Sequence, residues 1–196
     1  LAFILAVIGT IYLVYIGENL TLKIISTVYG VSAMALFLAS SLYHANKKID
    51  GETSIWRKLD HIAIFIMIAG TYTPISFIYL SGNWKWSIII LQWSLVLGGI
   101  FFKLFYLKVP RFLYTIIYLL MGWIGIFAIT KFIKSMSNIS IFFLLAGGVS
   151  YTIGAVFYIL KKPKFNLYFG SHEVFHLFIL LGAILHYFLV YMAIVN

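Results

Sequence analysis

Two histidines four residues apart, in the run His172-Glu173-Val174-Phe175-His176, lie one turn apart on one face of a helix. That spacing lets both imidazoles reach a single metal ion. The run opens the last apolar segment of the chain. Histidine and glutamate are costly inside hydrocarbon, so a membrane segment carrying them there has a use for them. His44 closes the second apolar segment and Asp60 opens the third. Three imidazoles and one carboxylate form the ligand set of a metal site, and neutral imidazoles with an open fourth position favour zinc. We assign His44, His172 and His176 as metal ligands. Asp60 would accept a hydrogen bond from a bound water, whose pKa a zinc ion lowers to roughly 7. Ser40, one turn before His44, faces the same way and could bond that water or a substrate oxygen. The competing reading is that these histidines only hydrogen-bond helices together.

The run also fits the His-Glu-x-x-His pattern of zinc proteases, in which the glutamate is the general base. No peptide-holding strand or second domain accompanies it, so a protease is the weaker reading. His61 follows Asp60 and points to a neighbouring face, which suits a border histidine with a backbone partner. His186, ten residues beyond His176, is expected to hydrogen-bond inside the bundle near mid-membrane. Gln92 reads as interhelical glue.

Composition sets the elements that must position these groups. The 196 residues are 63% hydrophobic and 10% charged, with a mean hydropathy of +1.06. A soluble domain could not cover that much apolar surface, so the chain reads as an integral membrane protein. With no cysteine, thiolate metal sites, disulfides and cysteine nucleophiles are excluded. Apolar runs fall at about 1–16, 22–44, 60–80, 86–107, 111–132, 139–160 and 171–194, most near the roughly 20 residues a helical span needs. The first begins already under way at Leu1, which suggests a truncated N-terminus. The reading is one all-α domain over 1–196 with seven transmembrane helices. Pro110 suits a helix start, and Pro74 should kink the third span. Gly98-Gly99, Gly122 with Gly125, and Gly147-Gly148 with Gly154 should let helices pack closely.

Basic residues set the orientation. Lys47, Lys48, Arg57, Lys58, Lys103, Lys108, Arg111, Lys161, Lys162 and Lys164 share the side of the N-terminus, against Lys23, Lys85, Lys131 and Lys134 on the other. The N-terminus is therefore expected in the cytoplasm and the C-terminus outside. The net charge of +9 is mostly this cytoplasmic collar; without a soluble basic domain, nucleic acid is not an expected partner. The same sidedness puts His44, Asp60, His172 and His176 at one depth, near the cytoplasmic face.

Four segments carry a resemblance: Ser40-Ser41-Leu42-Tyr43-His44, Leu59-Asp60-His61, Gly70-Thr71-Tyr72-Thr73-Pro74 and Ser171-His172-Glu173-Val174-Phe175-His176. They resemble the hemolysin III family, of the progestin and adipoQ receptor group that includes the adiponectin receptors, more distantly related to alkaline ceramidases. The resemblance spans nearly the whole chain. It implies seven transmembrane helices, a cytoplasmic N-terminus, a bacterial plasma-membrane location, and zinc on His44, His172 and His176 with Asp60 reaching it through water and Ser40 beside it. The receptors carry glutamine at the position of Glu173, which makes Glu173 dispensable for metal chemistry. Three functions follow as expectations: a zinc-dependent hydrolase of an amide or ester in a membrane lipid; a non-enzymatic membrane sensor with structural zinc; and a hemolysin-like membrane-disrupting protein. Membrane lipids are the expected partners.

Overall fold

The computed structural model describes residues 1–47, 54–105, 111–163 and 169–195. Pro110, Lys48, Lys108 and Lys164, used above for helix starts and sidedness, lie outside the described residues. The described residues form helices α1 (Ala2–Ile16), α2 (Leu20–Asn46), α3 (Ile55–Tyr79), α4 (Gly82–Phe105), α5 (Arg111–Gly122), α6 (Ile129–Ser135), α7 (Asn138–Leu160) and α8 (Ser171–Val195), with a 3₁₀ turn, Ile124–Ala128, between α5 and α6. Asn19, Ser54 and Ser137 cap α2, α3 and α7 by accepting from the backbone N–H of Leu22, Arg57 and Ser140. Among the described residues, six stretches are long and apolar enough to cross a membrane: α2, α3, α4, Phe112–Ser135, α7 and α8. α1, with 15 residues, is shorter than the roughly 20 a span requires. The seven expected spans thus appear as six candidate spans and one shorter helix.

Three expectations change in detail. α3 begins at Ile55 rather than near 60, because Ser54 caps it, so Asp60 sits a turn inside the helix instead of opening it. Pro74 lies inside this helix. The fifth span is not one helix. It breaks at Trp123, whose indole N–H reaches out to the Thr152 hydroxyl at 3.1 Å, and a 3₁₀ turn follows. Gly122 therefore ends a helix, and neither it nor Gly98 has a neighbour within 4 Å of where a side chain would start. Close packing belongs to Gly30, Gly70, Gly99, Gly147, Gly154 and Gly182.

The chain divides into two compact units, Leu1–Lys108 with Ala193–Asn196, and Val109–Met192. In the first, α1 packs on α2, α2 on α3 and α3 on α4. Ser32 of α2 fills the space a side chain at Gly70 of α3 would need. A methyl group at Gly99 of α4 would lie 2.7 Å from the Phe65 ring of α3. Trp93 donates to the Thr73 hydroxyl at 3.1 Å, and Trp86 packs edge-on against Phe77 at 6.0 Å. These pairs run in opposite chain directions, so α3 and α4 are antiparallel and in a fixed register.

In the second unit, α7 and α8 are antiparallel by the same test. Phe143 stacks on Phe188, Ser150 donates to the Phe178 carbonyl at 2.9 Å, and Tyr158 packs on Phe175 at 4.8 Å. The His186 ring occupies the gap above Gly147, its Nε2 3.3 Å from the Leu144 carbonyl, with Tyr151 edge-on at 5.3 Å. His186 thus makes the internal bond expected of it. Gly147→Ala drives a methyl group into that ring. It is expected to cost about 1–3 kcal/mol, as overpacked cores do. Gly98→Ala, which meets nothing within 4 Å, should leave the melting temperature in detergent unchanged.

Candidate metal centre

α8 starts with its catalytic-looking run already in helical geometry. His172 and His176 project from one face, their rings 4.5 Å apart and nearly perpendicular, with Nε2 to Nε2 at 3.2 Å. Two ligands on a tetrahedral zinc with bonds of 2.0–2.1 Å sit about 3.3 Å apart, so the pair is spaced for a shared ion. Phe175 flanks both rings, stacked on His172 at 6.5 Å and tilted against His176 at 5.3 Å, and Tyr158 of α7 backs Phe175. The α7–α8 packing thereby holds the start of α8 against the end of α7.

Glu173 does something else. Its Oε2 accepts the backbone N–H of Gly170 at 2.7 Å, closing the first turn of α8 from within. A carboxylate engaged as a helix cap is not poised as a general base, so the protease pattern loses its third element. Glu173→Ala should cost about 1 kcal/mol of stability, the worth of a cap. Its metal content, read by elemental analysis, should match wild type.

α2 and α3 carry the other candidates. Counting from the Ser32–Gly70 contact along the antiparallel pair, Asp60 falls level with the turn between Ser40 and His44. Ser40 and Asp60 are half-buried, and His44 is exposed beside the Tyr43 ring at 5.2 Å. His61 is buried, on a different face from Asp60. Gln92 is wholly buried in α4.

His172 and His176 of α8 together offer two ring nitrogens to one ion, and His44 near the end of α2 is the third imidazole that the sequence assigns. All three are neutral-capable nitrogen donors, the ligand type that zinc takes.

Sequence reasoning counted Lys103 only as a cytoplasmic charge. The structure puts it on the buried stripe of α4, with Ile88, Gln92, Val96 and Gly99, and only 5% exposed. The signal was present in the spacing, since these five residues recur at three- and four-residue intervals on one face.

The family model described as Haemolysin-III related matches residues 1–187. The chain is 39% identical to Hemolysin-3 of Bacillus cereus, over 84% of this chain and 72% of that protein. It is 39% identical to the Hemolysin-3 homolog of Bacillus subtilis, over 84% and 74% of the two chains. To the human Monocyte to macrophage differentiation factor it is 26% identical, over 95% of this chain and 77% of the other. With six apolar stretches of spanning length among the described residues, the chain is a multi-pass protein of the cell membrane, and it belongs to the haemolysin-III related family.

Proposed function

We propose that the protein binds one zinc ion through His44, His172 and His176 near the cytoplasmic face, and hydrolyses an amide or ester bond of a membrane lipid there. The carrying observation is the His172–His176 pair on α8, its Nε2 atoms 3.2 Å apart. When bound, the metal supplies Lewis acidity, polarising a carbonyl and making water a better nucleophile. The chain supplies the rest. Asp60 accepts the proton of the attacking water as its oxygen adds to the carbonyl carbon, and passes it to the departing amine or alcohol. Ser40, one turn from His44, donates to a substrate oxygen and fixes the carbonyl. The half-buried Ser40 and Asp60, close to helix ends, suit a lipid arriving sideways from the bilayer. The cytoplasmic placement is part of the proposal and follows the ten-to-four distribution of basic residues.

The test is fatty-acid release from long-chain lipid amides and esters in detergent or nanodiscs, by zinc-loaded and by chelator-stripped protein. The reading expects release that disappears on stripping and returns with zinc. Zinc binding with no release from either class would leave the ion a structural role.

A further inference from the structure

A lysine on the core-facing stripe of a membrane helix is expensive and needs a reason. Lys103 ends such a stripe. The α3–α4 register places its reason. Gly99 lets α4 approach Phe65 of α3 closely, and Trp93–Thr73 and Trp86–Phe77 extend the same antiparallel alignment. One turn beyond Gly99, Lys103 then comes level with His61 and within a turn of Asp60. Asp60 and Lys103 interact electrostatically, with Arg57 and Lys58 the other charges in reach of the lysine. Arg57 and Asp60 are three residues apart and share a face of α3. Arg57 and Lys58 are half-exposed, while Lys103 is 5% exposed. The lysine is therefore the cation that water screens least.

We infer that Lys103 is a positioning residue of the proposed site: its ammonium group holds the Asp60 carboxylate in the orientation that site uses. This rests on the reading of Asp60 given above. A carboxylate on one helix has its rotamer fixed by a buried partner on the next, as the groups behind metal sites commonly are. The role differs from packing, because a methionine would fill the same space.

The experiment uses the chain's small number of aspartates. Asp50 and Asp60 are the whole set, so Asp50→Asn leaves one. Full-length protein in that background, grown with carboxyl-labelled aspartate, gives an infrared carboxylate band from Asp60 alone. Lys103→Met should shift that band in zinc-free protein and weaken zinc binding about 10-fold, within the range of lost supporting groups. Lys103→Arg should keep zinc affinity near wild type, and Arg57→Gln should move the band less than Lys103→Met does. An unmoved band in Lys103→Met overturns the inference. So does a shift in Arg57→Gln as large as that in Lys103→Met; should Lys103→Met not fold, a large shift in Arg57→Gln still reassigns the role to Arg57 and overturns it. If wild-type protein binds no zinc, the metal reading fails on its own, and the infrared band still decides the Lys103–Asp60 pairing.

Discussion

His176→Ala is expected to strip the protein of its metal. The His172 and His176 ring nitrogens, 3.2 Å apart, form the part of the site built on a single helix. Removing one leaves two imidazoles and an additional open position. Loss of a supporting group behind a ligand already costs 10–100-fold in affinity, so loss of a ligand should cost more than about 100-fold. Elemental analysis after mild purification should find about one zinc per wild-type chain and close to none in His176→Ala. His186→Ala provides the control. It removes an imidazole from the same helix that bonds the Leu144 carbonyl rather than pairing with His172. Its zinc content should match wild type even if its melting temperature falls.

Asp60→Ala should separate metal binding from catalysis. The carboxylate stands level with Ser40 and His44 but contributes no nitrogen ligand. General-base catalysis contributes about 10²–10⁴-fold. Lipid hydrolysis should therefore fall by that factor while about one zinc per chain remains. Asp60→Asn, which keeps the shape, should be nearly as slow. Equal turnover by wild type and Asp60→Ala would remove Asp60 from the mechanism. Ser40→Ala, losing a single substrate hydrogen bond, should be the milder defect.

What the sequence made legible follows from what each feature depends on. The histidine pair depends on helical periodicity alone, so its spacing was enough. The spans depend on hydropathy summed over about 20 residues, and six of the seven expected runs recur as single helices within a few residues. α3 starts earlier than its apolar run because Ser54, a polar cap, begins the helix before the hydrophobic stretch does. The break at Trp123 depends on a partner, the Thr152 hydroxyl 29 residues away, which hydropathy does not encode. Glu173 looked like a catalytic base because a pattern fixes residue type, not rotamer; the Gly170 N–H it accepts is a local backbone matter. Lys103 was hidden for the opposite reason. Its charge was counted for topology, and its place on a buried stripe was visible in the three- and four-residue spacing from Ile88 onward.

The central claim is that three imidazoles from this chain hold one zinc ion and leave a position for a non-protein ligand. X-ray absorption at the zinc edge of gently purified, full-length protein tests it most directly. The account predicts four-coordinate zinc with nitrogen or oxygen neighbours at about 2.0–2.1 Å and scattering from three imidazole rings. Absence of bound zinc, or a sphere with fewer than three imidazoles, would contradict it.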